Sequence, residues 1–431
     1  MEFEVIEQTY PEDFREDITK ELGEQLSKRH SVVFIGMRRV GISNFLRFFL
    51  HHRNIQHYSG KLNHLFIAVD LNDLIERTTF AFWVLTLKRI SDSVEASDIG
   101  PKTKKYIQNL FLDGIQSKDL FILIENIKKA LNKILTEGMY PTIFFIRFDR
   151  ISEAASAEFF ANLEGIKDAT NHKLSFVFTT SRGLNSISPK VFSHTTLSLA
   201  QNQIFLKPAG ETDLKIICDA YIKRFGLRIS EELERELKKL TGGYIQYLQL
   251  ALISLNEPEN SINKPKELFE FLNNDERINL QSEELWDGLT APEQQLMLKV
   301  LNGEKLNEKD LKEGKYLFES GFLTSNQKIF SPLFEKFLQS KNQKEEGSRG
   351  NGKMELSKKE HLLFSYLKQN LGEICEREAI IEAVWPEEEA LGVSDWAIDR
   401  LVARLRKKIK EEGEFEIVTI KTRGFKLVKN T

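Results

Sequence analysis

The feature that most constrains this chain is an alternation running from about Ser31 to Lys207. Short apolar runs of strand length, Val32 to Ile35, Phe66 to Val69, Ile143 to Phe148, Phe176 to Thr179 and Ile204 to Leu206, are separated by longer stretches of helical periodicity. Runs that are apolar throughout suit strands buried on both faces, and parallel neighbours need a crossover long enough to hold a helix. The pattern predicts an α/β domain around a largely parallel sheet. From Glu211 to about Leu255 only helical periodicity remains, with Gly242 and Gly243 marking a break between two helices.

Two further units follow. Within residues 285 to 339, Thr290 caps a helix with Pro292 in its first turn, and Gly321 ends a second helix. Phe322 to Phe330 then reads as a short hairpin turning at Ser325 to Gln327. Helix, helix, hairpin predicts a first winged helix. Between Lys341 and Lys353 the chain reads K-N-Q-K-E-E-G-S-R-G-N-G-K, with no apolar residue and three glycines, the composition of a flexible linker.

Composition narrows the function classes. A 431-residue chain with 41% hydrophobic and 29% charged residues is long enough for several globular cores. No stretch approaches the roughly 20 apolar residues of a membrane helix. Met1 to Tyr10 carries acids rather than a basic and then apolar leader, so the expected location is the cytoplasm, without a membrane partner. Cys218 and Cys375 lie far apart at no metal-ligand spacing, and both are expected as reduced core residues. His51, His52 and His57 cluster without a Cys or acidic partner at ligand spacing, so no metal site is expected there. Net charge is only −3, so any basic surface must be local.

One such surface lies near the C-terminus. Ser357-Lys-Lys-Glu360 is a capping box before the apolar positions Leu362, Leu363, Tyr366 and Leu367. A second helix runs from about Arg377 to Trp385 and is stopped by Pro386; an acidic loop then leads to Ser394 as the next cap. In the third helix Ile398, Val402, Leu405 and Ile409 form an apolar stripe, opposite Trp396, Arg400, Ala403, Arg404 and Lys407. Residues 394 to 410 hold six lysines and arginines against two acids. A basic helix of this length fits the major groove of duplex DNA. Two strand-like runs, Phe415 to Ile420 and Phe425 to Val428, flank Lys421-Thr-Arg-Gly424 and make a basic wing.

From L-S-K-K-E-H-L-L-F-S-Y-L through V-T-I-K-T-R-G-F-K-L this module resembles the effector domain of OmpR/PhoB-type response regulators from end to end. The resemblance implies that Arg404 contacts DNA, that Arg406 binds a nearby phosphate, that Thr419 contacts the backbone and that Lys421 enters the minor groove. Trp396 stands where the family has a basic residue and Thr422 replaces the first glycine of the wing, so no base preference is carried over. The loop Pro386 to Val393 is where the family touches RNA polymerase, and its run Glu387 to Glu389 equally suits an ordinary solvated loop. The expected DNA-binding residues are Trp396, Arg400, Arg404, Arg406, Lys407, Thr419, Lys421 and Arg423.

After the first apolar run comes Gly36-Met-Arg-Arg-Val-Gly41-Ile-Ser43, which has the two glycines and terminal Ser of the P-loop pattern G-x-x-x-x-G-K-[ST]. Ile42 occupies the lysine's place, and neither Arg38 nor Arg39 sits where that lysine would. Ile143-Phe-Phe-Ile-Arg-Phe-Asp149-Arg150 matches an apolar strand ending in a Mg²⁺-holding acid, with Arg150 replacing the glutamate that polarises water. Thr180-Ser-Arg182 stands at the polar sensor position. Together with Thr241-Gly-Gly243, these segments resemble AAA+ or STAND ATPases, including the archaeal replication initiators, over about residues 10 to 260. The resemblance implies ATP or ADP with Mg²⁺ as cofactor; if binding is retained, its residues are Gly36, Arg38, Arg39, Gly41, Ser43, Asp149 and Thr180. Without the lysine and glutamate no hydrolysis is expected, and no residue is assigned a catalytic role.

The expected fold class is therefore a degenerate P-loop NTPase core of the AAA+/STAND kind with a helical lid, followed by two winged helices. Its boundaries are 1–208 for the core, 209–262 for the lid, 280–340 for the first winged helix, 341–353 for the linker and 354–431 for the DNA-binding module. The expected function is a DNA-binding transcriptional regulator with double-stranded DNA as partner, RNA polymerase and a second copy of the chain being further partners to test. A STAND-type nucleotide-dependent signalling or defence switch and a replication-initiator-like DNA-binding protein are the alternatives.

Overall fold

The computed structural model describes residues 5–52, 57–187, 201–257, 264–348, 358–384, 395–420 and 423–430, together with Leu199, Ile262 and Leu356. The chain divides into two compact units, Met1–Asn342 and Gln343–Thr431.

Five strands build the sheet of the first unit: β1 (Val32–Gly36), β2 (His64–Asp70), β3 (Tyr140–Ile146), β4 (Ser175–Thr180) and β5 (Asn202–Leu206), in the order β2-β3-β4-β1-β5. Every pairing is parallel. The alternation along each strand explains how an all-apolar run can be satisfied. Val32 and Phe34 enter one core, with Leu22, Leu26, Phe45 and Phe48 from helices α1 (Glu16–Ser27) and α2 (Ile42–His51). Val33 and Ile35 enter the other, against α3 (Thr79–Glu95), α4 (Pro101–Ser117), α5 (Leu120–Thr136) and α6 (Ala157–Ala169). Phenylalanine rings pack against one another in this second core. Phe145 stacks on Phe176 and Phe178 with ring centroids 5.7 and 5.6 Å apart, and Phe148 meets Phe178 edge-on at 5.0 Å.

A short helix α7 (Leu184–Ile187) follows β4. After β5 come α8 (Glu211–Phe225), α9 (Glu231–Thr241), α10 (Ile245–Asn256), α11 (Pro265–Asn274), α12 (Glu276–Asp287) and α13 (Ala291–Leu301). Then come α14 (Glu308–Glu313), α15 (Lys315–Glu319) and α16 (Pro332–Ser348). Between the last two, Leu323 and Ile329 form an antiparallel bridge closed by Phe330 N–H donating to Phe322 O at 3.1 Å. This helix–helix–hairpin segment shares its core with the sheet: Leu296, Met297, Leu317, Phe322 and Phe330 belong to the cluster that holds Val32 and Phe45. The glycine pair after α9 makes that merger possible. A Cβ on Gly242 would lie 2.0 Å from Phe330 O and one on Gly243 2.1 Å from Ala209 O, so only glycines let three backbone segments meet there.

Two readings of the sequence are corrected. The strand over Ile143 to Phe148 ends two residues earlier, at Ile146, because Arg147 adopts a left-handed conformation (φ 59°) and Phe148–Ile151 coils into a 3₁₀ turn. The polar stretch beginning at Lys341 is not wholly non-helical either, since α16 continues through Ser348. Lacking apolar residues removes the reason to pack, but Lys, Gln and Glu are good helix formers.

The second unit holds α17 (Lys358–Gln369), α18 (Arg377–Val384) and α19 (Asp395–Glu412) with a three-stranded sheet, β6 (Cys375–Glu376), β7 (Phe415–Ile420) and β8 (Gly424–Lys429), in the order β6-β8-β7. Ile398, Val402, Leu405 and Ile409 pack into one core with Leu363, Leu367, Ile380, Ile417 and Leu427. Ser357, the loop Pro386 to Val393, Ser394, Lys421 and Thr422 lie outside the described residues, as do the side chains of Trp396 and Lys407. Both cysteines are free and buried, and burial pushes the Cys218 thiol up to about 12.

Candidate functional sites

The first site forms where β1 turns into α2. Gly41 takes φ 112°, and a Cβ there would lie 2.2 Å from Ile245 Cδ1, so α10 seats its first side chain directly on the loop. Ile42, in the lysine's place, is packed against the apolar core, its Cδ1 3.2 Å from where a Cβ on Gly36 would be. The position that would send an ammonium to phosphate is thus hydrocarbon.

The two loop arginines are engaged by the helical region. Glu284 on α12, only 5% exposed, lies 3.6 Å from Arg38 Nη1 and 3.3 Å from Arg39 Nε. The Tyr244 hydroxyl donates to Arg38 O at 2.5 Å and accepts from Gln281 Nε2 at 3.0 Å, and Gln281 also donates to Glu284 Oε2 at 3.1 Å. Full burial pushes the Tyr244 phenol well above its ordinary value, so it is a neutral donor.

At the end of β3 the first polar side chain is Arg147, not an acid. Its guanidinium donates to Ser43 Oγ at 3.1 Å and to Asp70 Oδ2, on the neighbouring strand, at 2.5 Å. Its backbone N–H donates to Thr179 Oγ1 at 2.8 Å, holding the turn. Asp149 therefore does not end the strand. Its carboxylate lies in the 3₁₀ turn and accepts from the Ser181 N–H at 3.0 Å and the Ser181 hydroxyl at 3.0 Å. Burial raises its pKa against the effect of those bonds and of Arg38. Arg150, read from sequence as the glutamate's replacement, donates to Leu71 O at 3.1 Å. Burial lowers its pKa, and the like charges of Arg77 and Arg147 add to that.

The sensor segment is tied down as well. Thr180 is buried at the end of β4, in register with Ile35, and its hydroxyl has no partner among the described residues. Arg182 grips Glu293 on α13 with both Nη atoms at 2.7 Å, donates to Gly288 O at 2.6 Å and lies 3.7 Å from the Tyr316 ring centre. Burial raises the Glu293 pKa, but Arg182 and the Thr290 N–H outweigh it and hold it below its ordinary value. Tyr316 OH in turn donates to Ser181 O at 2.9 Å. Gly36, Arg38, Arg39, Gly41, Ser43, Asp149 and Thr180 thus converge at the C-terminal edge of the parallel strands, where ligands of such sheets bind. Sequence reasoning missed Asp70, Arg147 and Glu284; for Arg147 the signal was its place as the first charge after an apolar strand.

The second site is the face of α19 and its hairpin. Arg404 Nε lies 3.6 Å from Glu360 Oε1, and Lys408 Nζ donates to Glu360 Oε2 at 2.6 Å; this carboxylate on α17 is only 2% exposed. Arg404 therefore faces α17, on the flank of the helix. Arg406 donates from Nε to Ile417 O and from Nη2 to Thr419 Oγ1, both at 2.9 Å, which fastens α19 to β7. Arg423 lies 3.9 Å from Glu376, both largely exposed. Arg400 is half-buried beside exposed Ala403.

Comparison with known proteins separates the two units. Residues 351–427 match the family described as "Transcriptional regulatory protein, C terminal". No curated protein matches the chain. Among solved structures, a Walker-type ATPase of Pyrococcus abyssi is similar at 17% identity, over 75% of this chain and 95% of its own, with TM-score 0.48. The ORC2 protein of Aeropyrum pernix, in ADPNP and ADP complexes, is similar at 12% identity, over 76% and 95%, with TM-score 0.46. RuvB of Thermotoga maritima gives 14% identity, over 75% and 94%, and TM-score 0.35. By its own sheet order and its strand–glycine loop–helix turn, the first unit has a P-loop ATPase-like α/β fold. The second unit is a winged helix of the transcriptional-regulator type.

Proposed function

We propose that the chain is a sequence-specific transcriptional regulator that binds duplex DNA through residues 354–431, with the first unit as a regulatory core that does not hydrolyse ATP. The observation that carries this reading is the match over residues 351–427, and the surplus of six cations over two acids in residues 394–410 supports it. Such a surplus neutralises phosphates, and base edges supply discrimination. On the core side, the apolar Ile42 and the Arg147 that ends β3 support loss of hydrolysis, since phosphate clamping and water activation both lack their groups.

The test selects binding sites from a random duplex pool with the full chain and compares it with a chain ending at Lys353. A discrete site bound by the first and not by the second is expected. Equal binding by both, or enrichment of no site, would contradict the reading.

A second reading, a nucleotide-dependent switch, is favoured by one observation: Arg38 and Arg39 are held to α12 by Glu284, and an incoming polyphosphate would compete for them. Titrating ATP and ADP in a calorimeter tests it; absence of heat together with an unshifted melting temperature would remove it.

A further inference from the structure

A P-loop fold carries the expectation of Mg²⁺, and the groups at the end of this sheet do not fit one. Such an ion requires near-octahedral oxygen ligands at about 2.0–2.1 Å. The loop hydroxyl that would be one ligand, Ser43 Oγ, accepts instead from Arg147 Nη1 at 3.1 Å. The acid that ends the neighbouring strand, Asp70, pairs with Nη2 of the same guanidinium at 2.5 Å. One arginine thus bridges the hydroxyl and the carboxylate that a metal would bridge, and it supplies positive charge where an anionic ligand was expected. The Arg147 side chain is 39% exposed and is held by its partners. Its backbone is fixed in the left-handed region by the bond to Thr179, and its Nε is buried. Asp149 is turned to Ser181, from whose N–H and hydroxyl its oxygens accept.

We infer that Arg147 is the resident cation of this site and keeps divalent metal out of it. Two consequences follow from charge alone. A divalent ion at Ser43 would sit beside a fixed guanidinium and would have to take Asp70 from it, so the site rejects Mg²⁺ and Mn²⁺. A phosphate group reaching the loop meets a permanent single charge, so its binding is indifferent to chelators, unlike that of a site in which metal bridges protein and phosphate.

The residue type at position 147 makes this testable, since Asp and Asn tolerate the left-handed backbone that Arg147 adopts. The full chain is titrated with Mn²⁺, with and without ATP, and free Mn²⁺ is read by electron paramagnetic resonance. Wild type is expected to retain no stoichiometric Mn²⁺, and any ATP-induced shift in melting temperature is expected to be the same in Mg²⁺ as in EDTA. Arg147→Asp, which takes the guanidinium away from Ser43 and Asp70 and reverses the charge at this position, is expected to gain one Mn²⁺ site at least tenfold tighter than wild type. Adding Ser43→Ala should remove that site. Arg147→Asn, which keeps the backbone and adds no charge, serves as the folding control by circular dichroism. One tight Mn²⁺ in wild type that Ser43→Ala abolishes would overturn the inference. So would a folded Arg147→Asp that gains none, because the arginine would then not be what excludes the metal. DNA binding by the second unit has no part in either outcome.

Discussion

The two units use cations in opposite ways. At the edge of the parallel sheet, Arg38 and Arg39 meet Glu284, Arg147 meets Asp70 and Arg182 meets Glu293. Each acid belongs to a different element from its arginine, so these pairs join loop, sheet and helices into one body. In the winged helix the buried Glu360 draws Arg404 and Lys408 to α17, and even with this acid counted the six cations of residues 394–410 face only three acids. The difference teaches what each charge is for. Pairing inside a unit spends charge on architecture, and only a local surplus is available to an external polyanion.

If that contrast is right, the largest effect comes from Arg182. Removing it leaves Glu293, 5% exposed, buried without its partner, and breaking such a pair typically costs about 3–5 kcal/mol. Arg182→Ala should lower the unfolding free energy of the first unit, read from a urea melt, by that amount and leave DNA affinity unchanged. A loss of DNA affinity with intact stability would break the comparison.

Next comes Glu360→Gln. It keeps the shape and removes the charge that Arg404 and Lys408 face, so the winged helix should lose roughly 1–3 kcal/mol in a denaturant melt. An unchanged melt would show that Glu360 orders nothing.

The pH dependence sharpens the same point. Glu293 is held below its ordinary value of 4.5, so its contribution is present above that pH and is lost as pH falls through the lowered folded value. Glu293→Gln should therefore flatten the acid limb of the first unit's stability curve. A curve of unaltered slope would contradict the assignment. Asp149 has the reverse sign. Burial raises its pKa, so its charge costs stability as pH rises from 3.8 through the raised value. Asp149→Asn keeps an acceptor for Ser181, and at pH 7 it should be neutral to slightly stabilising, by about 0–1 kcal/mol. A clear destabilisation would mean the carboxylate charge itself is needed.

Much of this was legible in the sequence, and the failures have a common cause. All five strands of the large sheet were predicted, because an all-apolar run such as Val32 to Ile35 leaves few other solutions. The hairpin Phe415 to Ile420 with Gly424 to Lys429 and the apolar stripe of α19 were legible for the same reason, periodicity against a core. The pairings were not. Arg147, Asp70 and Ser43 come from three places in the chain, and no local pattern says they will share a hydrogen-bond network. Asp149 was misplaced because a strand's end was read from the first acid rather than from the turn that Arg147 makes. Arg404 and Arg406 were read from resemblance as DNA contacts; the geometry shows each also serving the fold, through Glu360 and through the Ile417 carbonyl.

That dual duty selects the residues for the decisive test. Arg423 lies on the wing beside Glu376, both largely exposed, so its loss should change binding more than folding, and Arg400 lies half-buried on the helix. DNA affinity of the full chain is measured by fluorescence anisotropy against a selected site between 50 and 200 mM salt, for wild type, Arg400→Ala and Arg423→Ala. For wild type a fall of roughly a hundredfold or more over that range is expected, the counterion release of several phosphate contacts. For each variant a binding loss of about 1–3 kcal/mol is expected, with an unchanged melting temperature for Arg423→Ala. Affinity insensitive to salt and to both substitutions would contradict the claim that the winged helix is the DNA-binding end of this chain.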